Sequence, residues 1–349
     1  MRTQHNLQRI CFCIATKYMG IYKEQKMINL FKFSIFISLL FSHPAFAQLT
    51  QEQESVKEKG LTLYQQSDWY DSQPLLEKAA IAGDKTAQYY LAESIRLSNR
   101  YTNAEARKWY EAAAEQGNLY AMLRLSNKND LCSELGECTG KSADEWREQA
   151  IKIARERAEK GDTEAMTVLF ITKQGFDWLE KAANTGDPLA QNTLAGIYKD
   201  GGGWFLIPGS RAKAVEKWYR ASANGGYPRA MYLYANYLFE HNCKKEDAAY
   251  WLKKSAEGGY INAVGNYALS VAHMPDNLGY TKNLVEAYGL AYLMSKLEGG
   301  GTGPEDGKMI LPDIAEKMTK EEIELGLLFA EEWKKSRPAL SYFVPVYGY

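Results

Sequence analysis

The chain has 349 residues, 42 Lys/Arg against 43 Asp/Glu, four His and five Cys. A single compact core is unexpected at that length, which leaves two packed units or a repeat array. A net charge of −1 without a basic run argues against a nucleic-acid binder, and an aromatic content of 13% excludes disorder over most of the length.

The first feature along the chain is a short apolar run, Phe33 to Phe41, preceded by Lys32 and followed by Ala45-Phe46-Ala47. A charged start, an apolar stretch and an Ala-x-Ala site form the layout of a secretory signal peptide. The run is too short to span a bilayer. We expect residues 27–47 to be the signal, cleaved after Ala47, with residues 1–26 an upstream extension from a mis-assigned start and Met27 the true initiator. The exported product is then periplasmic. Removing residues 1–47 leaves 36 Lys/Arg against 42 Asp/Glu, about −6, and only His241 and His273 among the histidines. So few histidines leave little from which to build a general-base or metal site.

From residue 75 onward one phrase repeats. Six segments align: LLEKAAIAGDKTA (75–87), WYEAAAEQGNLYA (109–121), IARERAEKGDTEA (153–165), WLEKAANTGDPLA (178–190), WYRASANGGYPRA (218–230) and WLKKSAEGGYINA (251–263). Each carries a reference glycine: Gly83, Gly117, Gly161, Gly186, Gly226 and Gly259. Ala stands three residues before it and four after it every time, and eight before it stand Leu75, Trp109, Ile153, Trp178, Trp218 and Trp251. Apolar residues recur at helical spacing on both sides of the glycine. The pattern predicts two helices joined at a left-handed glycine, crossing closely at the Ala columns, with the Trp or Leu filling the wider gap. Such a hairpin cannot bury its own apolar face and must stack on its neighbours.

These columns resemble the Sel1-like repeats, relatives of the tetratricopeptide repeats, and imply an all-α solenoid of six to seven helical hairpins. On that likeness, residues 48–74 are N-terminal capping helices, 75–272 the repeats, 273–336 a degenerate last repeat with a C-terminal capping helix, and 337–349 an aromatic tail. The spacing from Gly117 to Gly161 implies an inserted loop, and that from Gly161 to Gly186 a short second helix. The family's general role implies a non-enzymatic binding module for a protein partner, with no cofactor and no metal. Periplasmic members resemble inhibitors encoded beside type VI secretion phospholipase toxins, so an immunity protein is one expectation and a general envelope scaffold the other.

Candidate binding residues are the tyrosines that could face the groove, namely Tyr89, Tyr90, Tyr120, Tyr227, Tyr232, Tyr237 and Tyr260. Trp204 and Phe205 join them from the glycine-rich connector 199–211, which either folds back or waits for a partner. The tail RPALSYFVPVYGY either lies in the groove or presents itself to another chain. Cys132 and Cys138, six apart in a polar loop of an exported chain, are expected to form a disulfide, with Cys243 beside His241 left as a free thiol. Ser210-Arg211-Ala212-Lys213 matches the S-x-x-K pattern of penicillin-recognising enzymes, and Tyr234-Ala235-Asn236 could stand in for their second motif, but no K-T-G follows. A hydrolase acting on β-lactams or peptidoglycan is the minor alternative. Ser210 is expected instead to be a helix N-cap.

Overall fold

The computed structural model describes residues 49–128, 140–241, 245–275 and 278–348. The expected signal segment, Cys132, Cys138, Cys243 and Tyr349 lie outside the described residues, and so does the expected disulfide. Sixteen helices run along them. A lone N-terminal helix, α1 (Gln51–Gln65), precedes the hairpins. The hairpins follow as α2 (Trp69–Ile81) with α3 (Lys85–Asn99), α4 (Ala104–Glu115) with α5 (Leu119–Leu125), α6 (Ala143–Ala158) with α7 (Thr163–Ile171), and α8 (Asp177–Asn184) with α9 (Pro188–Lys199). Next come α10 (Ser210–Asn224) with α11 (Pro228–Glu240), α12 (Lys245–Glu257) with α13 (Ile261–Ala272), and α14 (Leu284–Ser295) with α15 (Gly303–Ala315). Helix α16 (Lys320–Ser336) closes the stack. The first hairpin starts at Trp69, upstream of the expected boundary. The fold is an all-α solenoid, and among the described residues no helix is long and apolar enough to cross a membrane.

The turn inside each hairpin is fixed by its glycine. All six lie in the left-handed region, with φ of +94°, +81°, +91°, +97°, +88° and +84° in chain order. At the first of them the Gly83 amide donates to Ala80 O (3.0 Å) and the Asp84 amide to Ala79 O (3.1 Å), the paired bonds that satisfy the last carbonyls of a helix. The same pairs recur at Gly117, Gly161 and Gly259. Both Ala columns are buried at every repeat. The next helix then starts with a cap: Asp84, Asn118, Asp162 and Asp187 accept from the amides of Ala87, Ala121, Ala165 and Ala190. In the fifth and sixth hairpins Tyr227 and Tyr260 occupy that position and make no cap.

Trp109 and Trp218 are buried, Trp178 and Trp251 half-buried. Lys108, Lys181 and Lys217 lie over the rings of Trp109, Trp178 and Trp218 at 5.1, 4.1 and 4.2 Å, so each stem covers the indole while its charge stays wet. Successive hairpins are held in register by Ser222 Oγ donating to Pro188 O, and by Ser255 Oγ donating to Pro228 O (2.6 Å). The compressed spacing between Gly161 and Gly186 is absorbed by two short helices, α7 and α8, of nine and eight residues.

The superhelix turns far enough for its ends to meet. The Gly300 amide donates to Ser67 O (3.1 Å), placing the α14–α15 loop on the α1–α2 turn. Gly299 sits so close that a Cβ there would lie 2.1 Å from Gln66 O. Asp68, Asp71 and Glu298 converge at this seam. Burial pushes the Asp68 carboxyl above the usual carboxylate range, and the two neighbouring carboxylates add to it.

Two glycines separate backbone strain from crowding. A Cβ on Gly186 meets nothing within 4 Å, whereas one on Gly259 meets Ala339 O at 2.8 Å. Gly186→Ala is therefore expected to cost the left-handed penalty alone, about 1–2 kcal/mol. Gly259→Ala adds an overpacking cost of about 1–3 kcal/mol. Urea unfolding of the two variants measures the difference; equal losses would contradict the close packing of the tail on Gly259.

Candidate protein-interaction groove

The tail after α16 turns into the space enclosed by the hairpins and is held there mainly through its own main chain. The Ser341 amide donates to Gly259 O (2.9 Å), and the Ile261 amide donates to Ser341 O (3.1 Å), a short parallel bridge. The Tyr342 amide donates to Gln65 O (2.9 Å) and its hydroxyl accepts from the Gly303 amide (2.9 Å). Gln66 Nε2 donates to Leu340 O (2.9 Å), and Gln65 Oε1 accepts from the Val344 amide (2.8 Å). Further along, Tyr227 Oη donates to Phe343 O (2.8 Å) and Tyr89 Oη to Val346 O (2.5 Å). One short segment thus touches α1, the first, second, fifth and sixth hairpins, and the α14–α15 seam.

The sequence-predicted tyrosines divide. Tyr89, Tyr227 and Tyr260 meet around the tail; the Tyr227 and Tyr260 rings stand edge-on to Phe343 at 6.2 and 6.3 Å. Tyr120 stacks on Tyr347 at 6.3 Å. Tyr90 packs edge-on against Tyr64 and Tyr89 and lines the same groove. Tyr232 lies 5.3 Å from Tyr260 but opens on a separate cleft beside Asn266, whose Nδ2 donates to its hydroxyl (2.7 Å). Tyr237 is a correction: it is buried between α10 and α11, donates to Ala212 O (3.1 Å) and stacks on His241 at 4.2 Å. Its helical spacing serves inter-helix packing, so it is no groove residue.

The connector 199–211 also divides. Phe205 folds back onto Tyr198 at 4.9 Å and under the Arg211 guanidinium at 4.8 Å, which corrects its assignment as a recognition residue. Arg211 also donates to the carbonyls of Tyr198, Gly202 and Gly203 and so fixes the loop. Trp204 stays 82% exposed, flanked by exposed Leu206 and Ile207. Ser210 is not the N-cap of α10; left-handed Gly209 is, and Ser210 Oγ instead donates to Ile207 O (2.6 Å).

Behind the groove is a charged cluster that sequence reasoning missed. Glu93 is fully buried and accepts from Arg124 Nε and Nη2 (2.6 and 2.9 Å), Arg96 Nη2 (2.8 Å) and Tyr110 Oη (2.5 Å). Burial opposes the charge on Arg124, but Glu93 overrides it and holds the guanidinium above its ordinary pKa. The bidentate pair fixes Arg124 as a flat platform whose centre lies 4.3 Å from the Tyr347 ring. A faint signal was present: Glu93 and Arg124 stand four residues after Tyr89 and Tyr120, one helical turn on, with opposite charge.

Past Val346 the groove continues as an open cavity of about 320 Å³, lined by Thr86, Tyr90, Tyr120, Thr163, Glu164 and Asp187 among others. Burial pushes the Tyr120 hydroxyl above its usual range, and the carboxylates of Glu164 and Asp187 push it further. Beyond the tail the groove is thus tyrosine-rich and hydroxyl-bearing, with Glu164 paired to Arg157 and Asp187 accepting from the Ala190 amide (2.6 Å) and Thr163 Oγ1 (3.1 Å).

Comparison with known proteins places this geometry in context. No family model and no curated protein matches the chain. Solved structures do. The protein c5321, a protective antigen of uropathogenic Escherichia coli described as displaying an SLR fold, is 21% identical at a TM-score of 0.45 over 82% of this chain. The chain spans 61% of that protein's length. A Sel1 repeat protein from Oxalobacter formigenes is 24% identical at a TM-score of 0.36, covering 66% of this chain and 95% of its own. The immunity protein PA5088 from Pseudomonas aeruginosa is 15% identical at a TM-score of 0.34, covering 73% and 84%.

Removing the acid beneath the platform tests the charged cluster. Glu93→Gln is expected to destabilise the protein by about 3–5 kcal/mol, because it takes the carboxylate from two partly buried guanidiniums at a fully buried position. Adding Arg124→Met should restore part of that loss, since the stranded charge goes too. Denaturant midpoints of the single and double variants measure this; a loss below about 1 kcal/mol for Glu93→Gln would place the cluster among inert ion pairs. Hairpins closed by left-handed glycines and crossing at two buried Ala columns make the chain an all-α solenoid in fold.

Proposed function

We propose that the protein is a non-enzymatic module that binds a protein partner on the inner face of its superhelix, after export to the periplasm. One observation carries this reading. Tyrosines from four separate hairpins converge on the main chain of the tail, two of them donating hydroxyl hydrogen bonds to its carbonyls and two packing their rings against Tyr347 and Phe343. Tyrosine suits such a surface, since it supplies large rigid contact area with one polar tip. The charge of about −6 on residues 48–349 favours a basic partner.

The sharper form of the proposal is immunity. The partner is then a toxin that acts in the periplasm, of the phospholipase type delivered by type VI secretion, and binding alone neutralises it. An inhibitor of this kind needs a broad complementary surface and no catalytic group.

Tagged mature protein (48–349) recovered from its own periplasm tests the proposal. The expected result is one equimolar partner, toxic when expressed alone there, released by raised salt and lost with Tyr120→Ala. Recovery without any partner, or a partner indifferent to Tyr120→Ala, would sink the inner-face reading.

A further inference from the structure

The glycine-rich connector between α9 and α10 is built rather than slack. A Cβ on Gly202 would lie 2.5 Å from the Ile197 side chain, and one on Gly203 2.7 Å from the Tyr198 ring, so both glycines press the chain onto α9. The Gly202 amide donates to Ile197 O (2.8 Å), and the Ser210 amide and hydroxyl both donate to Ile207 O (3.1 and 2.6 Å). With Arg211 on the Gly202 and Gly203 carbonyls, the loop is fastened at both ends. What it presents is apolar: Trp204, Leu206 and Ile207 are 82%, 75% and 73% exposed. Among the described residues no other stretch of four exposes three large apolar side chains. A patch held open by its own backbone marks a contact surface.

Charge beside the tip is one-sided. Among the described residues Lys213 and Lys217 have no carboxylate partner, and Arg211 spends its donors on carbonyls. Glu216 is held by Arg220 and Lys199 by Glu240, which leaves Asp200 as the free acid of segment 199–217. Helix α10 thus opens on cations with no acid in its first turn, the reverse of what its dipole favours. This local excess of positive charge sits in a chain that carries about −6 over residues 48–349. We propose that the loop is a membrane-contact tip, which inserts Trp204, Leu206 and Ile207 into the interface of a bilayer bearing anionic phospholipid. The aliphatic side chains enter the acyl boundary, the indole lies at headgroup level, and Lys213 and Lys217 meet the phosphates. The backbone suits that surroundings, because the carbonyls of Gly202, Gly203 and Ile207 are satisfied within the loop and Pro208 has no amide to desolvate. No described helix is long enough to span a membrane, so the attachment is peripheral and reversible. The inference uses no feature of the inner face and is tested apart from it.

Co-sedimentation of residues 48–349 with vesicles tests it, one set of phosphatidylethanolamine with phosphatidylglycerol and one of phosphatidylcholine alone. The chain should bind the anionic vesicles more tightly than the neutral ones, with a blue shift in tryptophan emission. Trp204→Ala should weaken the partition by about tenfold and abolish the shift. Lys213→Glu with Lys217→Glu should remove the preference for anionic vesicles together with its salt dependence. Tyr70→Ala, which removes a comparably exposed ring on α2, should change nothing. All these positions are exposed, so the variants keep the fold. Absence of binding to the anionic vesicles would overturn the proposal, as would binding that Trp204→Ala leaves unchanged or that Tyr70→Ala weakens equally. A protein partner lost with Trp204→Ala, while vesicles are ignored, would assign the tip to that protein and overturn the membrane reading. Capture through Tyr120 that Trp204→Ala does not affect leaves the inner-face reading standing in every case.

Discussion

The structure depends on one backbone constraint, the left-handed turn at each repeat glycine. It lets two helices reverse direction within three residues while the amides after the turn satisfy the last carbonyls of the first helix. Because the reversal is so tight, the helices cross where only Ala fits, and both Ala columns are buried in every hairpin. A hairpin so narrow has no interior of its own. Its large side chains, such as Leu76, Tyr110, Leu179 and Leu194, are buried only because another hairpin lies against them. Stacking is thus imposed by the turn, and curvature accumulates along the stack until Gly300 reaches Ser67.

Closing a solenoid on itself creates an inner face, and an inner face lined with amides, hydroxyls and rings has to be solvated or filled. Here the tail fills part of it. The fifth and sixth hairpins give up a helix cap, worth about 1 kcal/mol each, and use the tyrosine at that position against Phe343. The Glu93 cluster follows the same logic, with a buried ion pair whose geometry positions a cation beneath an aromatic ring. Stability and the proposed recognition therefore share residues, and the tail is the point at which they meet.

Much of the fold was legible in the sequence because it is written in short-range spacing. The glycine, the two Ala columns and the bulky residue eight before the glycine all report contacts within one hairpin, and all six turns formed as the spacing required. The site was legible in part. Tyr89, Tyr120, Tyr227 and Tyr260 reach the tail, but helical periodicity cannot separate an inner face from an inter-helix seam, and Tyr237 belongs to the seam. Phe205 and Trp204 are adjacent and of like chemistry, yet Arg211 draws one inward and leaves the other exposed. Ser210 lost the cap position because Gly209 ahead of it adopts the left-handed conformation. Contacts such as Gln65 with Val344 or Tyr89 with Val346 join residues more than 250 apart and depend on the summed curvature of seven hairpins. No local pattern records them.

The central claim is that the tail is bound inside the superhelix, and hydrogen exchange of residues 48–349 tests it most directly. The amides of Ser341, Tyr342, Phe343 and Val344 each donate to a partner, three of them to elements far away in sequence. The account predicts that these amides exchange slowly, together with that of Ile261, while that of exposed Gly348 exchanges fast. Fast exchange across 341–344 with Ile261 unprotected would place the tail in solvent and contradict the account.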